Sequence, residues 1–143
     1  MTFRIFVDSD VILDVLSNRE PFYDSSAILF SLIEKGTLEG YTSPIVFSNV
    51  YCVLRKRVSK QISMESLKYL KSLIQMLPID KRAIELALDS EFDDFEDAIQ
   101  YFCAEQNNIK YLITRNKIDY AKAEINILTA TEFLSMLQTL QTN

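Results

Sequence analysis

The 143-residue sequence contains no histidine and no tryptophan, and it has only two cysteines, two glycines and three prolines. Without histidine, the chain cannot form a Ser-His-Asp triad, a Cys-His pair or a His-ligated zinc site. Cys52 and Cys103 are too few for a cysteine-only metal site or a disulfide framework, and both are predicted to be buried thiols in a reducing compartment. The scarcity of glycine and proline excludes a collagen-like or low-complexity chain.

Basic residues are also in the minority, with 15 Lys+Arg against 20 Asp+Glu and a formal net charge of −5. A broad basic surface for polyanions is therefore excluded, and any nucleic-acid contact must be local or metal-assisted. No apolar run reaches the roughly 18 residues of a membrane span, and the first acid is Asp8, which predicts a cytoplasmic protein without a signal peptide. The length predicts one domain, residues 1–143.

Short apolar strands alternate with helical segments along the chain. Strands are expected at Phe3–Val7 and at residues 40–43, 76–79, 110–114 and 125–128. Helices are expected at residues 11–16, 27–36, 44–58 (capped by Ser43) and 80–88, after a cap at Ser63, after Asp93 and Asp94, and from about Ala130. Parallel neighbours need helical crossovers, so the pattern predicts a three-layer α/β/α fold with a central parallel sheet of about four to five short strands.

Acidic residues follow the strands or open a helix at what should be one edge of this sheet. Asp8 follows the first strand, Asp119 follows the fourth, and Asp94 and Asp97 share one helix face, whereas Glu96 points elsewhere. Clustered carboxylates repel one another unless a cation is present, and Mg²⁺ or Mn²⁺ prefers such oxygen ligands. The pattern favours a divalent-metal site, although the spacing of Asp97 taken alone is more typical of a solvated helix face.

Asn49 is unusual because it places an amide on an otherwise apolar stripe of the helix that Ser43 caps. A buried amide needs hydrogen-bond partners. Two interpretations stay open: a core asparagine that binds backbone groups, or an amide that reaches the acidic cluster.

Four segments, in chain order, carry a resemblance to a known family: Asp8-Ser9-Asp10-Val11-Ile12-Leu13-Asp14, then Thr42-Ser43-Pro44 leading into Ser48-Asn49-Val50-Tyr51, then Asp94-Phe95-Glu96-Asp97-Ala98, and Leu112-Ile113-Thr114-Arg115-Asn116-Lys117-Ile118-Asp119-Tyr120. Together they resemble the PIN-domain ribonucleases, and in particular the VapC-type toxins of toxin–antitoxin pairs. The resemblance spans nearly the whole chain.

The resemblance implies a ribonuclease whose Mg²⁺ or Mn²⁺ is held by Asp8, Asp97 and Asp119. Asn49 stands where the family usually has a glutamate, which implies weaker metal binding and weak, restricted or lost activity. The implied supporting residues are Ser9, Asp94, Glu96, Thr114 and Asn116. A homodimer and an antitoxin partner are implied as well.

Cations beside the predicted site are candidates for RNA phosphate contacts. Arg115 and Lys117 lie in the fourth segment, and Arg55 belongs to the densest basic group, which is more typical of a solvated helix end.

Two other functions compete with the nuclease. Asp8-x-Asp10 after a strand also resembles phosphatases and receiver domains that phosphorylate an aspartate, but these need a later lysine where the chain has Arg115. Alternatively, because of Asn49, the chain is a catalytically silent PIN-like binding domain.

Overall fold

The computed structural model describes residues 2–142, with the side chain of residue 142 left aside. The strands are β1 (Phe3–Val7), β2 (Leu38–Thr42), β3 (Gln75–Met76), β4 (Tyr111–Ile113) and β5 (Asn126–Leu128). The helices are α1 (Ser9–Leu16), α2 (Tyr23–Glu34), α3 (Pro44–Leu54), α4 (Lys60–Leu73), α5 (Lys81–Leu88), α6 (Phe95–Gln106) and α7 (Ala130–Thr142), with a short 3₁₀ helix at Lys117–Tyr120.

The five strands form one parallel sheet in the order β3-β2-β1-β4-β5. This confirms the predicted three-layer α/β architecture. The strand order reverses at β1, which pairs with β2 on one side and with β4 on the other. In a doubly wound sheet, the crevice at the carboxyl ends of such strands is the usual ligand site.

The central strands are apolar because helices cover both faces of the sheet. Ile5, Phe6 and Val7 of β1 are fully buried. Phe133 of α7 is also fully buried and packs edge-on against Phe3 and Tyr111, with ring centroids 6.1 Å and 5.7 Å away. The C-terminal helix is thereby held against the sheet.

Helix starts follow the expected capping chemistry at three places. The Ser43 hydroxyl accepts the Val46 N–H with Pro44 at the first helical position, and Asp80 and Asp94 cap α5 and α6 through their carboxylates. Gly36 follows the end of α2 with a φ of +82°, a conformation that glycine adopts without strain.

The cap of α4 was predicted wrongly at Ser63. Ser59 is the cap, because its hydroxyl accepts the Ile62 N–H, whereas Ser63 lies inside the helix and donates to the Ser59 carbonyl. Serine is a favoured N-cap residue, so the local sequence alone does not show which of the two serines caps the helix. Helix α3 ends at Leu54 rather than residue 58, because the Lys56 and Arg57 N–H groups bond only three residues back, to the Val53 and Leu54 carbonyls.

Strand boundaries and one cysteine also differ from expectation. The third strand is Gln75–Met76, because pairing ends with the bond from Leu77 N–H to the Thr42 carbonyl and Pro78 has no N–H. Cys103 is buried as predicted, but Cys52 is exposed. The buried residues of α3 recur every fourth position, which turns Cys52 outward.

Within residues 2–142, no helix is long and apolar enough to cross a membrane.

Candidate active site

The candidate site lies where β1 and β4 end side by side. Val7 pairs with Ile113, and the Asp8 N–H donates to the Ile113 carbonyl over 3.0 Å. Asp8 and Thr114 therefore leave the sheet next to each other. The Thr114 hydroxyl donates to Asp8 Oδ2 over 3.0 Å. The parallel register thus joins two segments that are far apart in sequence.

Asp8 is 5% exposed and is oriented by donors from four residues. Its Oδ1 accepts from the Ser9 N–H (2.7 Å) and from Gln100 Nε2 (3.4 Å). Its Oδ2 accepts from Thr114 and from the Tyr120 hydroxyl (3.1 Å). Burial raises the pKa of Asp8, and these hydrogen bonds oppose the rise because they stabilise the carboxylate. The carboxylate is held in one orientation.

Tyr120 connects Asp8 to Asp97. Its hydroxyl lies 3.1 Å from Asp8 Oδ2 and 3.3 Å from Asp97 Oδ1, and it can donate its proton to one of them at a time. Burial raises the pKa of Asp97 to about 7, with further increases from the charges of Asp8, Asp94 and Asp119. The structure therefore brings three of the predicted acids close enough to Asp97 to repel it.

The donor set suits a hard divalent cation. Carboxylates that repel each other gain most from a cation, and oxygen ligands are those that Mg²⁺ and Mn²⁺ prefer. The buried Gln100 adds a further oxygen: its Nε2 contacts Asp8, while its Oε1 has no hydrogen-bond partner within residues 2–142. In the same part of the chain, no three acidic or cysteine side chains are preassembled as a metal cage. Such a site would hold the ion through few protein ligands and several waters, which is typical of Mg²⁺.

The supporting residues occupy distinct places around this pair of acids. Asp119 is exposed on the 3₁₀ helix, and Asp94 caps α6 by accepting the Asp97 N–H over 2.9 Å. Ser9 binds Asp8 through its N–H and, at 3.4 Å, its hydroxyl. Asn116 contacts the site through its backbone, because its N–H donates to the Thr114 hydroxyl over 3.1 Å.

Asn49 is half-buried, and its amide binds a side chain rather than the backbone. Asn49 Nδ2 donates to Glu96 Oε2 over 3.2 Å, which joins α3 to the first turn of α6. The amide therefore binds an acid of α6 rather than backbone groups, and its part in a metal site stays a prediction. Glu96 does point away from Asp97, toward α3.

The three cations predicted to contact RNA each have a protein partner. Arg115 forms two bonds with Asp14, of 2.9 Å and 3.0 Å, and stacks over the Phe22 ring. Lys117 Nζ binds the Glu132 carboxylate at 3.0 Å, and a guanidinium nitrogen of Arg55 donates to the Val58 carbonyl. Their role in RNA binding stays a prediction.

Sequence analysis missed Tyr120, Gln100 and the structural role of Asp10. Gln100 lies one turn after Asp97 on α6, which was a usable signal for a second polar residue on that face. Tyr120 directly follows Asp119, but nothing local distinguishes a site hydroxyl from a core tyrosine. Asp10 accepts the Arg115 N–H over 3.0 Å, and burial together with the charge of Asp8 raises its pKa to about 6.

Comparison with known proteins agrees with this geometry. The family model of the PIN domain matches residues 4–118. The chain belongs to the PIN-domain family. This confirms the resemblance found in the four sequence segments.

Individual relatives cover between 76% and 96% of this PIN-domain chain. It is 28% identical over 142 residues to Ribonuclease VapC1 of Aquifex aeolicus, covering 96% of this chain and 97% of the relative. Among solved structures, a toxin–antitoxin complex from Klebsiella pneumoniae superposes with a TM-score of 0.66 at 22% identity, over 88% of this chain and 97% of the other. VapC20 of Mycobacterium tuberculosis, described as a toxin that cleaves the sarcin-ricin loop, has a TM-score of 0.61 at 15% identity, over 76% and 86%.

Proposed function

We propose that this PIN-domain protein is an endoribonuclease that uses Mg²⁺ or Mn²⁺ to hydrolyse phosphodiester bonds in RNA. The observation that carries the proposal is the pair of acids at the switch point of the sheet, Asp8 and Asp97, flanking one tyrosine hydroxyl. The similarity to Ribonuclease VapC1 over nearly the full length of both chains supports RNA as the substrate. The absence of histidine is consistent with metal-assisted hydrolysis.

Asp8 and Asp97 would hold the cation, with Asp119 and Asp94 adding negative charge around it. When bound, the cation supplies Lewis-acid activation of water and stabilises charge on the phosphodiester. The chain's own task is to present these oxygens in a fixed orientation. Thr114, Gln100 and Tyr120 do so for Asp8, since each donates a hydrogen bond to one of its two oxygens.

The partners follow from the same similarity. We propose that the protein acts as the toxin of a toxin–antitoxin pair in the cytoplasm, that it forms a homodimer, and that an antitoxin protein controls its site. The toxin–antitoxin complex among the similar structures supports this biological role. Co-expression with the product of an adjacent small reading frame, followed by co-purification, tests it: a toxin should be tolerated by the cell only in the presence of its antitoxin.

The catalytic proposal is tested with single-stranded RNA and purified protein. Wild-type protein should cleave in Mg²⁺ or Mn²⁺ and stop when EDTA is added, and Asp8→Asn should lose at least about 100-fold of the rate. Asp24→Asn, a change of the same kind on an exposed residue of α2, is the matched control and should cleave normally. Mn²⁺ should also raise the melting temperature of the wild type but not of Asp8→Asn.

Equal background cleavage by the wild type and Asp8→Asn would contradict the proposal and favour the silent binding domain that Asn49 suggested. A phosphate adduct on the protein after incubation with a phosphoryl donor would instead favour the phospho-aspartate class. Intact-mass measurement detects that adduct directly.

A further inference from the structure

A cavity of about 300 Å³ opens beside the candidate active site, between α1, α2, the segment after β4 and the start of α7. Val11 and Ala130 give it buried apolar walls, whereas Phe22 and Asn116 are exposed at its rim. Pockets that hold small organic groups begin at about this volume and are mostly apolar with a few polar atoms. The cavity is therefore large enough for one planar ring system.

This cavity lies two hydrogen bonds away from Asp8. The Asn116 N–H donates to the Thr114 hydroxyl over 3.1 Å, and that hydroxyl donates to Asp8 Oδ2 over 3.0 Å. Arg115, which stands between them in sequence, lines the cavity, and Asp10 accepts its N–H. A group that enters the cavity therefore lies next to a phosphodiester bound at Asp8.

The Arg115 guanidinium is a fixed flat surface in the wall of the cavity. Two bonds to the buried Asp14 carboxylate hold its Nε and Nη2, and its Cζ lies 4.0 Å from the centroid of the Phe22 ring. The remaining nitrogen, Nη1, has no partner within residues 2–142. Guanidinium planes and aromatic rings are the surfaces on which proteins stack the bases of single-stranded RNA.

A buried hydroxyl in the cavity wall also lacks a partner. Ser26 of α2 is 2% exposed, and its hydroxyl makes no hydrogen bond within the described part of the chain. A buried polar group without a partner is costly, so it favours a guest with a polar edge. Apolar walls, a flat cation and a free hydroxyl together match a nucleobase, which has apolar faces and a hydrogen-bonding edge.

The charges around the cavity allow an RNA strand to approach, although the chain carries a net charge of −5. The acid that lines the cavity, Asp14, is contacted by two guanidinium groups, from Arg115 at 2.9 Å and from Arg19 at 3.5 Å. Two cations around one carboxylate leave a local excess of positive charge, which attracts a polyanion.

We propose that this cavity binds one base of the RNA substrate, from a nucleotide next to the cleaved phosphodiester. The base stacks on the Arg115 guanidinium, and the Ser26 hydroxyl and the Asn116 amide contact its polar edge. Phe22 is a positioning residue, because its ring supports the guanidinium from the other face. This inference rests on the proposed function and deepens it, since it assigns residues that select the RNA sequence at the cleaved bond.

The inference is tested with a short single-stranded RNA in which the cleaved bond has been mapped. Each nucleotide in turn is replaced by an abasic one, and kcat/KM is measured in Mn²⁺. For the wild type, one abasic position next to the cleaved bond should lower kcat/KM about 10-fold or more, because the stacked base is lost. Ser26→Leu fills the cavity, so it should cleave the intact RNA about as slowly, and the abasic replacement should then cause no further loss.

Phe22→Ala is the second variant, and it decides the question if Ser26→Leu does not fold, because the Phe22 ring is 41% exposed and can be removed with little effect on packing. It should reduce the abasic effect at the same position. The matched controls are Ser66→Leu and Tyr69→Ala on α4, a half-buried serine and an exposed tyrosine outside the cavity lining. Both should keep the wild-type abasic profile.

Three results would overturn the inference, and they are distinguishable. If Ser26→Leu and Phe22→Ala keep the full abasic effect, the cavity does not bind the base, while Mn²⁺-dependent cleavage of the intact RNA still supports the proposed function. If these variants keep the abasic effect but no longer co-purify with the antitoxin, the cavity binds the protein partner instead. If the wild type does not cleave in Mn²⁺, the proposed function fails and the inference fails with it.

Discussion

Replacing Arg115 tests how far the buried Asp14 depends on its hydrogen-bonded partner. Asp14 on α1 has a side chain that is 0% exposed, and Arg115 gives it two hydrogen bonds of 2.9 Å and 3.0 Å. Arg115→Met removes both bonds but preserves much of the contact with Phe22. Each hydrogen bond to a charged group contributes roughly 1.5–3 kcal/mol to the free energy of unfolding. Arg19 lies 3.5 Å from Asp14 and compensates part of the lost interaction. We expect a net destabilisation of about 3 kcal/mol.

Urea unfolding measures this change as a lower midpoint at unchanged slope, and the melting temperature should fall by about 10 °C. Lys117→Met is the matched control, because Lys117 forms an ion pair of 3.0 Å with Glu132 in which both side chains are more than 40% exposed. That variant should lose no more than about 0.5 kcal/mol. Asp14→Asn added to Arg115→Met should recover part of the stability, since it removes the unpaired charge. Equal losses from Arg115→Met and Lys117→Met would refute the reasoning.

Two further substitutions test the packing and capping assignments by the same urea unfolding. Phe133→Ala should cost about 3–5 kcal/mol because the ring is fully buried between two aromatic neighbours, whereas Ile118→Ala, at 84% exposure, should change stability by less than about 0.5 kcal/mol. Ser59→Ala should lower the free energy of unfolding by about 1 kcal/mol, because it removes the cap of α4. Ser63→Ala should lower it clearly less, since the Ser63 hydroxyl bonds only within its helix. The reverse order would identify Ser63 as the cap.

The sheet edge could be predicted because it depends on local signals that agree with each other. A buried run that ends in Asp8 predicts a strand with a polar exit, and parallel strands bring all such exits to one edge. Asp94 could be placed at a helix start because its carboxylate is a common cap. These features follow from chain direction and residue type, so no long-range contact was needed to find them.

The contacts that complete the site could not be predicted in this way. Tyr120 and Gln100 meet Asp8 across 112 and 92 residues of sequence, and only the assembled sheet brings them together. The protein partners of the cations could not be predicted for the same reason. The RNA contact of Arg115 stays a prediction, but its pairing with Asp14, 101 residues earlier, could not be found from the local sequence. Local sequence shows that a charge is present, whereas its partner depends on the tertiary fold.

Three acids near the start of the chain have different roles at the site: Asp8 precedes α1, and Asp10 and Asp14 belong to it. Asp8 lies in the crevice, while Asp10 binds the Arg115 N–H and Asp14 binds the Arg115 side chain. Two acids of one helix thereby hold the segment that follows β4. That segment leads directly into the 3₁₀ helix, whose last residue, Tyr120, joins Asp8 to Asp97. Because the hydroxyl position depends on this anchored segment, losing Asp14 should disturb the site although Asp14 touches neither Tyr120 nor Asp97.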